Sequence, residues 1–326
     1  MSLDLVKNPY MPGAGNIPAE FAGRDDLLKA AEVAFQRLQD GNHARSMMFI
    51  GLRGVGKTVL LNKLLVDAEE RVIKTIAIQA HDNKSLAELL VPELRKIIAA
   101  LSYREAAKDA VMKVRRALVG FMRGLKLSYE GVELSMEPQP GVADSGDIEL
   151  DLPDLFKLLG QAAKASGETV ALFVDEMQYL SSTDLSALIM AIHAIDQRQL
   201  PIILLGAALP QFQEKAGNSK SYAERIFDYR QLGPLSEQAA KQALERPAKR
   251  AGVTYNEPAL DAILVITKDY AFYIQQWGSS IWHVAADTTI TMSDVETATA
   301  HAQQMLDEGF FGVRFQRCAP SEQRYM

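Results

Sequence analysis

Gly51-Leu52-Arg53-Gly54-Val55-Gly56-Lys57-Thr58 decides how this chain is read. It is a glycine, four residues, a second glycine, a lysine and a threonine. It stands between the apolar run Met47-Met48-Phe49-Ile50 and a helical pattern from Thr58 to Glu70. A strand, a glycine-rich turn and a helix, in that order, form the setting in which a backbone loop closes around phosphate oxygens. The glycines let N–H groups approach those oxygens, Lys57 sets a cation against the β- and γ-phosphates, and Thr58 offers a hydroxyl to Mg²⁺. The helix that follows points its positive N-terminal dipole at the same anions. Gly51, Arg53, Gly54, Val55, Gly56, Lys57, Thr58 and Val59 are therefore the expected nucleotide-binding set. The alternative is a glycine turn with no ligand.

A second stretch completes the chemistry. Val170-Ala171-Leu172-Phe173-Val174 is an unbroken apolar run that ends in Asp175-Glu176. A strand ending in two carboxylates lets Asp175 hold the Mg²⁺ shell while Glu176 takes a proton from the water that attacks the γ-phosphate. Adjacent strand residues point to opposite faces, so the pair is expected to divide these roles. Having both acids favours hydrolysis over passive binding; the other reading of Glu176 is a surface acid at a strand end.

Working outward, the pattern alternates between the two periods. Residues 8–23 are dense in proline and glycine and predict an irregular lead-in, followed by a helix over 25–39 with Leu27, Leu28, Ala31, Phe35 and Leu38 on one face. Strands are expected at 72–78, 170–174 and 201–206, and helices at 86–101, 152–165 and 185–195. Strands that read as continuous apolar runs are buried on both faces, which predicts a parallel sheet covered by helices. After Gly233-Pro234 the strand signal stops. Helical patterns at 236–251, 257–267, 270–286 and 293–306 predict a small helical domain.

Between the second strand and the acidic strand lies an insert, about residues 103–150. Ala107, Val111, Val114, Leu118, Phe121 and Leu125 form one helical stripe. Arg104, Lys108, Lys113, Arg115, Arg116, Arg123 and Lys126 decorate it, whereas 130–154 carries acids and no lysine or arginine. Alternation across 125–136 predicts a hairpin.

Composition bounds the rest. The 326 residues are 48% hydrophobic and 23% charged, those of an ordinary globular chain of about two domains. With 35 basic and 41 acidic residues the net charge is −6, which excludes the globally basic surface of a dedicated nucleic-acid binder and leaves a local patch open. One cysteine, Cys318, allows no internal disulfide, and a reducing compartment, the cytoplasm, is expected. The apolar stretch 200–209 is too short to cross a bilayer, so no membrane partner is expected. His81, His193, His283 and His301 lack metal-ligand spacing. Trp277 and Trp282, at helical spacing with Ile274 and Ile281, are expected in the core of the helical domain rather than as a stacking platform for bases.

Gly51 to Thr58, the Asp175-Glu176 strand end and the helical region after Gly233 together resemble the AAA+ ATPases, in particular the branch near origin-recognition-complex-like proteins, with the two motifs in the places of Walker A and Walker B. Phe21-Ala22-Gly23-Arg24-Asp25-Asp26 resembles the motif that in this branch precedes the first helix and borders the adenine, which implies Phe21, Gly23 and Arg24 as cofactor contacts. The resemblance implies an α/β fold, a P-loop NTPase parallel sheet flanked by helices with an all-helical lid. It implies a nucleotide-binding domain over 1–232, a lid over 233–306, and a tail over 307–326 leading toward a C-terminal winged-helix domain. It further implies ATP/ADP and Mg²⁺ as cofactors, with ATP hydrolysis driving a conformational change in a protein or DNA assembly.

Three further family positions bear on the mechanism. Arg225 stands where an arginine finger would reach the γ-phosphate of a neighbouring subunit, implying a homo-oligomer; an intramolecular salt bridge is the other reading. At the end of the fourth strand, where the family carries a polar sensor, this chain has Gly206-Ala207-Ala208 with Gln211 the nearest amide. The lid stretch 268–278 has aromatics and glutamines and no arginine for the second sensor, so slow turnover is expected. Two other readings follow: a switch resembling the STAND ATPases, which holds nucleotide to gate a protein client, and a DNA-associated ATPase acting through the basic helix or through a further, winged-helix domain.

Overall fold

A computed structural model describes residues 3–102, 105–127 and 137–307. Most of the expected hairpin and all of the tail beyond Asp307 lie outside the described residues. The chain divides into two compact units: one holds Asp26–Arg53 and Leu60–Leu232, and the other holds the residues up to Asp25, Gly54–Val59 and the residues from Gly233 on.

The first unit is built on a parallel sheet of five strands among the described residues: β1 (Ser46–Gly51), β2 (Lys74–Gln79), β3 (Val170–Asp175), β4 (Ile202–Ala208) and β5 (Phe227–Leu232), in the order β2-β3-β4-β1-β5. β1 and β4 are buried along their whole length, and β3 up to its last residue, as their apolar runs demand. Ser46 opens β1 from a fully buried position, and its hydroxyl accepts the N–H of Leu204 at 3.0 Å, which satisfies both groups. Because all strands run the same way, β1 and β3 deliver Gly51 and Asp175 to one edge of the sheet.

Helices α1 (Asp25–Gln39), α2 (Lys57–Glu70), α3 (Leu86–Leu101), α4 (Lys108–Gly124), α5 (Ile148–Ser166), α6 (Ser182–Asp196), α7 (Phe212–Ser219) and α8 (Ala223–Ile226) follow in chain order. The stripe in the insert forms α4, whose Val111, Val114, Leu118 and Phe121 are buried in the core with Leu155 and Phe156 of α5. Its Lys113 and Arg116 are exposed, as is Lys126 just beyond its end. α5 begins at Ile148, four residues before the expected start. Asp147 caps it by accepting the N–H of Glu149, and Pro153, inside the second turn, leaves the carbonyl of Glu149 without its i→i−4 N–H. Asp151, buried in that first turn, accepts N–H bonds from Ser145 and Gly146 and the Ser145 hydroxyl, and so pins the preceding loop. β5, which carries Asp228, Tyr229, Arg230 and Gln231 between its ends, was not expected as a strand.

The second unit comprises α9 (Glu237–Arg250), α10 (Glu257–Thr267), α11 (Ala271–Val284) and α12 (Met292–Leu306), with a two-residue parallel pair, β6 (Thr254–Tyr255) and β7 (Thr289–Ile290). Ser236 and Asn256 cap α9 and α10 through side-chain oxygens. Trp277 and Trp282 lie in this core, at 5% and 2% exposure, as their spacing with Ile274 and Ile281 predicts. Residues 8–23 are irregular, as expected, follow a short 3₁₀ helix over Leu5–Lys7, and with it pack within this same unit. Tyr10 is buried with its ring edge on Trp282; its hydroxyl bonds the carbonyl of Leu244 at 2.7 Å and the Tyr255 hydroxyl at 2.6 Å. Gly278 on α11 makes room for it, since a Cβ there would stand 2.7 Å from the tyrosine ring.

Candidate nucleotide site

The glycine-rich turn leaves β1 at Gly51 and enters α2 at Lys57. Gly54 and Gly56 have φ of +85° and +94°, conformations that side-chain-bearing residues rarely adopt, so the glycines of the motif are set by backbone geometry. Val55 is buried, Thr58 and Val59 are half-buried, and the Lys57 side chain is only 7% exposed at the first residue of α2. A buried lysine at a helix N-terminus, in a glycine-rich turn, is an arrangement that attracts polyphosphate.

Within the second unit this turn has two neighbours. Arg24 donates through Nη2 to the carbonyl of Val55 at 3.2 Å and to that of Gly233 at 2.6 Å, and burial pulls its pKa below the ordinary value. Gly23, with φ of +70°, permits the close approach: a Cβ there would lie 2.5 Å from that of Ala239. Phe21 is half-buried beside them in sequence. The start of α11 also meets the turn, where the N–H of Phe272 donates to the carbonyl of Gly54 at 3.1 Å.

In the first unit, β3 ends at Asp175, half-buried, whose Oδ1 accepts the N–H of Glu176 at 2.8 Å. Glu176 does not continue the strand. Its φ and ψ of 53° and 38° are left-handed, so the alternation expected for adjacent strand residues does not set its direction; the turn does. Its carboxylate accepts a hydrogen bond from Nε2 of Gln178, and Oε1 of Gln178 accepts the N–H of Leu209, just past β4, at 3.1 Å. Tyr179 receives the guanidinium of Arg53 on its hydroxyl at 2.8 Å. Lys215 of α7 donates to the carbonyls of Gln178 and Leu180. Gln211, the amide nearest β4 in sequence, is exposed and lines a neighbouring cleft of about 600 Å³.

Arg225 sits on α8 with its side chain exposed and, among the described residues, without an ion pair; its carbonyl accepts from Arg45 at 2.8 Å. The intramolecular salt bridge considered from the sequence is absent there. Among the described residues no group of three histidine, cysteine or acidic side chains could hold a metal, and no helix is long and apolar enough to cross a membrane.

The AAA ATPase domain profile matches residues 20–205, more than half the chain and a span that includes both the glycine-rich turn and the acidic strand end. The chain belongs to the AAA ATPase domain family. Its structure is similar to the Orc1 protein of Aeropyrum pernix in complex with DNA (TM-score 0.54, 14% identity, 89% of this chain and 68% of that one). It is likewise similar to Cdc6p of Pyrobaculum aerophilum (TM-score 0.55, 15% identity, 89% and 70%). A RuvB variant of Thermotoga maritima is similar at a TM-score of 0.51 and 14% identity, over 86% and 70% of the two chains. These likenesses show a shared fold. No curated protein matches by sequence.

As an AAA ATPase domain the chain has an unexpected element beside its acids. Gln178, Tyr179 and Lys215 were not anticipated as site residues, because strand periodicity says nothing about side chains once Glu176 turns left-handed. The signal available was one polar residue two positions after Glu176.

Proposed function

We propose that this protein binds Mg²⁺-ATP on the Gly51–Val59 turn and hydrolyses it slowly, with Glu176 as general base. The observation that carries this reading is the buried Lys57 at the start of α2, in a turn whose two glycines hold positive φ, in a chain whose β3 ends in Asp175-Glu176. Backbone N–H groups of the turn and Lys57 bind and orient the β- and γ-phosphates. Thr58 and Asp175 supply the hydroxyl and carboxylate oxygens that suit a hard cation, and these two residues would hold Mg²⁺. When bound, the ion neutralises charge on the phosphates. Glu176 takes the proton of a water whose oxygen bonds to the γ-phosphorus as the bond to the β,γ-bridging oxygen breaks and ADP leaves with the electron pair. Phe21, Gly23 and Arg24 border the base. Arg225, exposed and unpaired among the described residues, acts on the γ-phosphate of a neighbouring copy.

A second reading rests on a different observation. The start of α11 reaches the glycine-rich turn through a backbone bond, Phe272 to Gly54, and residues 268–278 hold no arginine. A helical unit joined to the turn without a phosphate-sensing charge suits a switch that retains nucleotide and gates a protein client.

Chromatography of nucleotide released from the purified protein, together with steady-state ATPase assays, separates the two. Multiple turnovers support the ATPase, whereas retained ADP without turnover supports the switch. Lys57→Ala is expected to abolish nucleotide binding in either case; binding and turnover unchanged in that variant would refute both.

A further inference from the structure

The loop after β3 is held by three residues outside it, Leu209, Lys215 and Arg53, and its Gln178 reaches Glu176. Gln178 spans the gap between the Glu176 carboxylate and the N–H of Leu209 at the end of β4. An N–H can only donate, so Leu209 fixes which end of the amide faces it. The NH₂ end must then face Glu176, which leaves the glutamate as the acceptor, as a base requires. β4 cannot provide such a group itself. At Gly206 a Cβ would stand under 3.0 Å from the sulfurs of both Met48 and Met177, and the strand's last residues, Ala207 and Ala208, carry no polar side chain. Lys215, through the carbonyls of Gln178 and Leu180, and Arg53, through the Tyr179 hydroxyl, fix the loop that carries the amide.

We propose that Gln178 is the positioning residue for Glu176, supplying at the carboxyl end of β4 the amide that the strand lacks. The proposal deepens the hydrolytic reading above and rests on it. Glu176 is attached to a left-handed backbone with its own torsional freedom along the side chain. A fixed donor on one carboxylate oxygen leaves the other to face water, and misplacement of a base by about 1 Å costs on the order of 100-fold in rate.

The test is ATP turnover, under single- and multiple-turnover conditions, in Gln178→Ala and Gln178→Leu, each alone and combined with Glu176→Gln. Nucleotide affinity and melting temperature are measured on the same samples. Wild type must hydrolyse ATP and Glu176→Gln must lose turnover while still binding; failure at this step removes the hydrolytic reading and the role of Gln178 with it. Given that step, each Gln178 variant alone is expected to lower kcat roughly 10- to 100-fold with affinity and melting temperature unchanged. In the Glu176→Gln background it should cost nothing further, because residues acting as one unit are not additive. Turnover at the wild-type rate in both single variants would overturn the proposal while leaving the hydrolytic reading intact. So would a loss that repeats in full without Glu176, or a failure of both variants to fold, which would make Gln178 a purely structural residue.

Discussion

Glu176, the proposed general base, also carries a conformational burden. A non-glycine residue in the left-handed region costs of order 1–2 kcal/mol, and such costs persist where surrounding contacts determine the backbone. Here Asp175 takes the Glu176 N–H and Lys215 holds the next carbonyls. Glu176→Ala and Glu176→Gly both remove the carboxylate and its bond to Gln178, so their difference reports the backbone alone. The glycine variant is expected to be the more stable by about 1 kcal/mol, read from denaturant midpoints; an alanine variant equal or superior would contradict the strain. At this scale the glycine-rich turn before α2 and the acidic end of β3 were legible as local geometry, and the tasks proposed for Lys57, Asp175 and Glu176 come from phosphate and metal chemistry. Gln178 was not, since the role proposed for it depends on where a turn sends it and on two methionine sulfurs crowding Gly206.

Among the elements, α6 and its C-terminal Asp196 offer a test that is independent of the nucleotide. Burial pushes the Asp196 carboxyl up to about 7, with Arg45 pulling partly the other way. An acid whose folded pKa lies above its unfolded one binds the extra proton in the native state. Its stabilising effect is therefore complete below about pH 4 and is lost as pH rises toward and through 7. Asp196→Asn should melt with wild type at pH 4 and above it at pH 8, by less than roughly 4 kcal/mol. A variant less stable than wild type at pH 8 would show that the ionised carboxylate is needed. The elements read well where periodicity was strong: α1, α3 and α10 have the expected bounds, and β1, β3 and β4 lie where apolar runs placed them. β5 was missed because an edge strand with Asp228 and Arg230 paired at 2.7 Å shows no apolar run. α5 starts early because the Asp147 cap, and not Pro153, sets its first turn.

Across the whole molecule, the N-terminal residues 3–23 belong with the helical unit, a placement that composition could not reveal. Prolines and glycines announced the absence of a helix but not that Tyr10 would fill the space above Gly278. Tyr10→Phe leaves the Leu244 carbonyl and the Tyr255 hydroxyl without that partner, so it should lower stability by about 1–3 kcal/mol, measured by chemical denaturation. Stability equal to wild type would show that the N-terminal segment contributes little to this unit. The −6 net charge is an average over a chain in which Lys113, Arg116 and Lys126 are exposed on one segment, so salt dependence of any nucleic-acid binding should trace to that segment. Arg116→Glu with Lys113→Glu is expected to abolish such binding, and a variant that binds DNA as wild type does would remove the basic helix from consideration. The most direct test of nucleotide hydrolysis at this site is single-turnover conversion of labelled ATP by wild type and Glu176→Gln, with binding measured on the same samples. Wild type should convert ATP to ADP while Glu176→Gln binds equally well and leaves it intact; hydrolysis by both at the same rate, or binding by neither, would contradict it.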